Sequence, residues 1–443
     1  MQGAKGLNLR EVAHRARVNS SRPFLQEKLM TRPTNSFSAH ERFLASLALL
    51  LSLVKIPGSG LFPVSAFLAV ALLPMMLNRT SLDRRTAWLI GTSLVACLSG
   101  ISLRVVVPSN LGHPAPFAPS TLIVGWLLAF PLIILMVQWA TPRVGILWAM
   151  GLVLAGALGS TVLNGSTSWK GSLGLFVTLL ALVLVAGRPI VLTRLVLAAS
   201  AVLSVVTDAR SQGLMAALAF VATLADRQTL SWIRRHPVQS LVLTGGLAYG
   251  AVALTLQGML GGVFGEQIQS RTASQMRGGQ SIIVGGRAEW AATVRLFVEN
   301  PFGFGVGTVV NPGLQSEAMS SARSVGGDTV SAYYRTNVFG IRTDLHSQIA
   351  DLWYHFGLPG LLFTLVLIVL LLTSVPYAIG LIRLVGAAPT LAIVMALWDI
   401  LFSPMADSDR TIAGVAIAFA VTTAAVHYKS KTTTQTERAT RDA

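Results

Sequence analysis

The chain is 443 residues long, 53% hydrophobic and only 12% charged, with a mean hydropathy of +0.63. That balance excludes a soluble multidomain protein of this length and points to a polytopic membrane protein. A net charge of +16 invites a nucleic-acid reading, but the basic residues are spread over many loops instead of gathered on one domain, so no nucleic-acid partner is expected.

Residues 1–41 carry scattered Arg and Lys without the apolar core of a cleavable signal peptide, and they read as a basic cytoplasmic tail. Apolar runs follow at 42–56, 60–77, 86–103, 120–139, 144–163, 171–187, 189–206, 211–225 and 238–263. Three more lie at 356–379, 386–403 and 411–427, before a second cytoplasmic tail at 428–443. Runs approaching ~20 apolar residues suit helices crossing a ~30 Å hydrocarbon core, so the expected fold is all-α with about 12 transmembrane helices. A barrel would instead show alternating segments of ~10 residues, which are absent. The single cysteine, Cys97, falls inside an apolar run and excludes an intramolecular disulfide or a thiolate metal cluster.

With the N-terminus inside, 22 of the 34 Lys and Arg fall on the cytoplasmic side. This is the asymmetry of the positive-inside rule, and it accounts for most of the net charge without a polyanionic cytoplasmic partner. One connection departs from the short loops elsewhere. Between Phe264 and His346 lie roughly 80 residues with no span, on the outer side. Residues 264–355 therefore read as an extracytoplasmic loop between the ninth and tenth helices, an ordered cap with short helices and joints at Gly278-Gly279, Gly285-Gly286 and Gly326-Gly327. The chemistry is expected there.

Within the cap, the spacing predicts a helix from Arg287 to Asn300, stopped by Pro301, with Trp290, Val294, Phe297 and Val298 on one side. Such a helix suits the surface of a bundle, lying across the tops of the membrane helices. The following Gly303-Phe-Gly305-Val-Gly307 lacks the strand and helix offsets of a nucleotide fingerprint and reads as a turn. Arg287 stands at the helix opening, where free backbone N–H groups would add to its attraction for an anion; the alternative is a solvated charge. Arg210 sits at the outer junction of two spans, either as an anion ligand or as the salt-bridge partner of Asp208.

His346 precedes an apolar helical stripe, Ile349, Leu352, Trp353 and Phe356, ahead of a break at Gly357-Leu-Pro-Gly360. It is either a hydrogen-bonded interfacial residue or a general base, since a neutral imidazole beside fixed arginines would stay unprotonated. His355 is the competing histidine, with Asp351 at i,i+4. Asp407-Ser-Asp409 has the spacing of a metal-binding pair but reads as a solvated turn beside Arg410. No metal or cofactor site is expected. Without a serine elbow, a metalloprotease pattern or a phosphate-binding glycine loop, the energy of any reaction must come from the substrate.

The stretch "GRAEWAATVRLFVENPFGFGVG", followed after about forty residues by "HSQIADLWYHFGLPGLL", resembles the paired signature of the O-antigen ligase/O-antigen polymerase family of membrane glycosyltransferases. Arg210 is similar to that family's arginine at an outer helix junction, here in Asp208-Ala-Arg210-Ser where a Ser-Arg form is usual; Ser347 stands where Asn commonly follows the histidine. The resemblance implies a GT-C-like membrane protein of the cytoplasmic membrane, with its active site on the extracytoplasmic side. It implies an inverting, metal-independent transfer of a glycan from an undecaprenyl-pyrophosphate donor to a glycan or lipid acceptor hydroxyl. Arg210 and Arg287 would bind the pyrophosphate, His346 would take the acceptor proton, and Arg295 and Arg342 are secondary candidates. A spacing from Arg295 to Gly305 one residue short of the polymerase pattern tilts toward a ligase, with a polymerase as the alternative. A reading of another class is a transporter or flippase of the same anionic lipid.

Overall fold

The computed structural model describes residues 37–54, 64–79, 84–115, 117–165, 168–225, 227–263, 265–275, 287–327, 329–330, 334, 338–340 and 343–403. Outside them fall most of both tails, the span at 411–427, the first two glycine joints, Arg342 and the Asp407/Asp409 pair.

The described chain is mostly helical. It opens with α1 (Ala39–Leu51), whose first turn is closed by a reciprocal cap: Glu41 N–H donates to Ser38 Oγ, and Ser38 N–H to the Glu41 carboxylate, both at 3.1 Å. Then come α2 (Val64–Arg79), α3 (Arg84–Val106), the short strand β1 (Gly112–Pro114), α4 (Phe117–Val144) and α5 (Ile146–Leu163). The α4 helix runs through Pro142, and the chain turns only at Gly145, whose φ of 87° an L side chain adopts at a cost. A π-helical turn (Trp169–Leu173) leads into α6 (Gly174–Leu184), followed by the antiparallel pair α7 (Ile190–Val206) and α8 (Arg210–Ala222). Next are α9 (Arg227–Arg235), α10 (Pro237–Leu260) and α11 (Glu266–Gln275).

Up to residue 403, helices occupy the positions of the predicted spans. Arg84–Val106, Ile123–Val144, Ile146–Leu163 and Gln348–Gly380 are long and apolar enough to cross a membrane; Phe67–Leu77, Gly174–Leu184, Ile190–Val206 and Ala388–Phe402 are apolar but shorter. Trp88, Leu98, Trp148, Leu184 and Leu365 point outward from these helices, as lipid-facing side chains do.

The segment predicted as a cap contains α12 (Glu289–Glu299), the strand β2 (Thr308–Val310), which pairs antiparallel with β1, and α13 (Pro312–Ser324). After it come α14 (Gln348–Gly380), α15 (Ile382–Val385) and α16 (Ala388–Phe402). The α12 helix begins two residues later than predicted, and the face it packs inward is not the large apolar one. Ala288, Ala292 and Leu296 are buried, whereas Val294, Phe297 and Val298 are exposed. Small residues allow close approach to neighbouring backbone, so the Ala face takes the packed side.

The α14 helix is two helices joined at Gly357, which has φ 65° and ψ −149°. This break, with Pro359 unable to donate, frees carbonyl groups that a continuous helix would use. The Phe304 N–H and Gly305 N–H donate to Tyr354 O at 2.8 and 3.1 Å, and Val306 N–H donates to Gly100 O at 3.0 Å. The predicted turn at Gly303–Gly307 is thus wedged between α3 and the kink of α14. Gly303, Gly305 and Gly307 all have positive φ, and a Cβ at Gly303 would collide with Trp353 O and Gly357.

Two apolar cores result. The larger joins α1 to α8 with α14, α15 and α16. The smaller gathers Ala288, Ala292 and Leu296 of α12, Leu314, Ala318 and Ala322 of α13, Tyr334, Val338, Phe339 and Leu345, and Trp353 and Tyr354 of α14. Phe304 stacks on Tyr354 at 4.9 Å within it.

Candidate functional site

The smaller core brings the neighbours of two of the candidate residues together. Ala288 and Leu345 are members of one cluster, and the residues flanking them, Arg287 and His346, are carried to the same place although they are far apart in the chain. The closeness has an electrostatic signature: the Arg287 charge acts on the His346 imidazole. Burial, first, and that positive charge, second, lower the His346 pKa from 6.5 to about 4. The imidazole is therefore neutral at physiological pH, chiefly because it is buried.

The backbone of His346 is itself unusual. Its φ is 58°, and it shares positive φ with Asp208 alone among the described non-glycine residues. A left-handed conformation costs a non-glycine residue about 1–2 kcal/mol, so surrounding contacts must impose it. Asp344 is one of them: its carboxylate accepts the His346 N–H at 3.0 Å and lies 3.8 Å from Nδ1. Asp351 accepts the Leu345 N–H at 2.7 Å, and Ser347 donates to Ile400 O at 3.2 Å, fixing the segment on both sides. His355 is buried, with Nε2 3.3 Å from Thr343 O, among the residues that hold this turn.

Arg210 is placed by the α7–α8 hairpin. Its Nε donates to Asp208 at 3.0 Å, so the salt bridge foreseen as the alternative role is present. Its Nη1 donates to Thr272 Oγ of α11, also at 3.0 Å. Its Nη2 is buried and lacks a hydrogen-bond partner among the described residues. Asp208 is shared with Lys170 at 3.1 Å. Both segments meet α16: α8, which Arg210 opens, packs on it, and its last turn accepts the hydroxyl of Ser347, next to His346.

Three of the other donors buried without an acceptor among the described residues are Gln212 Nε2, Trp290 Nε1 and Gln348 Nε2; Trp139 Nε1 and Thr390 Oγ1 are further examples elsewhere in the helices. Gln212, Trp290 and Gln348 each stand within three residues of Arg210, Arg287 or His346. A buried donor left unmade costs about 1–3 kcal/mol, so an oxygen-rich ligand would be favoured here. Sequence reasoning did not single out Gln348 or Thr272, and it named Trp290 only as part of an apolar face. The signal for Gln348 was a polar residue in the first turn of an otherwise apolar helix; Thr272 had none, because only tertiary packing brings α11 to Arg210.

Of the secondary candidates, Arg295 is held by two carboxylates, Glu299 at 3.1 Å and Glu317 of α13, which raise its pKa. Arg342 lies outside the described residues. Arg104, not singled out from sequence, donates to Val306 O at 3.0 Å and to Ala115 O, fastening the glycine turn to the end of α3. Among the described residues no group of three or more His, Cys, Asp or Glu could hold a metal ion. Compared with known proteins, the chain matches no family model, no curated protein and no solved structure.

Proposed function

We propose that the protein is a lipid-linked glycan ligase of the cytoplasmic membrane, with about 12 spans and its site on the extracytoplasmic side. The acceptor hydroxyl oxygen attacks the anomeric carbon of an undecaprenyl-pyrophosphate-linked glycan. The new glycosidic C–O bond forms as the bond from that carbon to the phosphate oxygen breaks, with inversion. The hydroxyl proton passes to His346, and the departing pyrophosphate takes the electron pair. Arg287 and Arg210 neutralise its growing charge, which is where preorganised cations help most.

The observation that carries this reading is a neutral imidazole held beside Arg287 in a strained, partly buried turn. A base with a pKa of about 4 is weak. A bound pyrophosphate would offset the Arg287 charge and raise the imidazole pKa toward neutrality, strengthening the base only when substrate is present. The orphaned donors near both arginines support an anionic, oxygen-rich substrate, and the resemblance of the two sequence stretches supports the glycan class. For the sidedness, the support is the Lys and Arg asymmetry of the sequence; Arg194 near the start of α7 donates to Thr223 O just beyond α8 at 3.1 Å, at the opposite end of that hairpin from Arg210.

The test is to incubate the purified protein with lipid-linked oligosaccharide and an acceptor. A ligase transfers the glycan and releases undecaprenyl pyrophosphate, and His346→Ala stops both. Longer lipid-linked chains would identify a polymerase. Movement of unaltered lipid across proteoliposomes, indifferent to His346→Ala, would identify a flippase and end the proposal.

A further inference from the structure

We propose that α12 is embedded in the lipid monolayer at the membrane boundary, with Val294, Phe297 and Val298 immersed among the acyl chains at the end where Gly357 breaks α14. The two helices of the smaller core differ in what they turn outward. The exposed positions of α13 are polar: Ser316, Glu317, Ser320, Arg323 and Ser324. Those of α12 are apolar up to its last residue, Glu299: Val294 is 57% exposed, Phe297 41% and Val298 65%, and Phe302 beyond its end is 64% exposed. Helices sharing one core but carrying opposite outer faces meet different solvents.

What covers the apolar face follows from its neighbours. Phe297 contacts Trp353 at 5.2 Å between rings, and a Cβ at Gly357 would collide with Phe302 O, so the face runs directly into the second half of α14. There Leu358, Leu362 and Leu365 are exposed on a helix long and apolar enough to cross a membrane. At its other side the glycine turn abuts Arg104, next to the exposed Val105 and Val106 that end α3. The outer face of α12 thus continues the apolar surface of two spanning helices, and the occupant that covers those helices covers it too. Of the polar residues that α12 carries, Arg295 pairs with Glu317 of α13 and with Glu299 one turn on in its own helix. A consequence, which rests on the functional reading above, is that Arg287 at the opening of α12 stands at headgroup depth, so that a lipid pyrophosphate reaches it sideways through the bilayer.

Collision measurements on nitroxide labels test the immersion independently of any chemistry. In the full-length protein with Cys97→Ala, labels at Val294→Cys and Val298→Cys in phosphatidylcholine nanodiscs should show an oxygen-to-nickel-chelate collision ratio several-fold above that of Ser320→Cys. A ratio equal to that of Ser320→Cys, or protection from both reagents, overturns the proposal; the second result would mean protein contact. With Cys97 intact, benzoylphenylalanine at Val298 should form a phospholipid adduct on irradiation, as it should at Leu362. A protein-protein adduct, or none where Leu362 gives one, also overturns it. Immersion without glycan transfer would refute only the enzymatic reading; transfer without immersion would refute only this one.

Discussion

His346 concentrates three physical constraints in one side chain: a left-handed backbone, burial, and a neighbouring cation. The last two act in the same direction, since both disfavour the imidazolium, and together they hold the pKa at about 4. The sign for stability follows. Between pH 6.5 and 4 the unfolded chain binds a proton that the folded one refuses, so the contribution to stability is complete above 6.5 and lost as pH falls toward 4. For activity, the acid limb of kcat/KM, which reports the free enzyme, should fall near pH 4, and that of kcat should lie higher because bound pyrophosphate raises the imidazole pKa. Arg287→Ala should move the kcat/KM limb upward while lowering the rate by ~10²–10³. Arg287→Lys should leave that limb nearly in place. Superimposed kcat and kcat/KM limbs, or an Arg287→Ala limb that does not move, would remove Arg287 from the site. A purely structural arginine would lower stability without shifting either limb.

At the scale of elements, the kink of α14 and the glycine turn form one joint. The conformation of Gly357 is open essentially to glycine alone, and any side chain there would strike Phe302 O and Leu103. Gly303 meets the same joint from the other side, against Trp353 O. Gly357→Ala should therefore destabilise the folded protein by about 1–3 kcal/mol from backbone strain, with an added steric term. Gly303→Ala should act on the same contact, so the double variant should cost less than the sum of the two singles. Thermal or denaturant unfolding of the singles and the double in detergent measures this; strict additivity would mean that the two glycines act independently. The joint matters to the site because Trp353 and Tyr354, just before the kink, belong to the core that also holds Ala288 and Leu345, the neighbours of Arg287 and His346.

For the whole molecule, the proposed orientation is tested with the impermeant thiol reagent that each side can meet. With Cys97→Ala, Ser320→Cys on α13 should react in intact, right-side-out vesicles, and Gln228→Cys on α9 only after permeabilisation. The reverse pattern would place His346 on the cytoplasmic side. What the sequence determined by itself was local: apolar runs, the stop at Pro301, the turn at Gly303–Gly307 and the break at Gly357, because hydropathy and turn chemistry are written within a few residues. It also marked Arg287 and His346 separately as candidates. Tertiary structure alone decided that these two meet, that Thr272 holds Arg210, and that His346 takes a positive φ, since each depends on contacts between segments far apart in the chain. It also decided which side of α12 is buried. In a soluble protein the apolar face of a helix is the packed face; where the surroundings are lipid, an apolar face can point either way, and only packing chooses between Ala292 with Leu296 and Val294 with Val298.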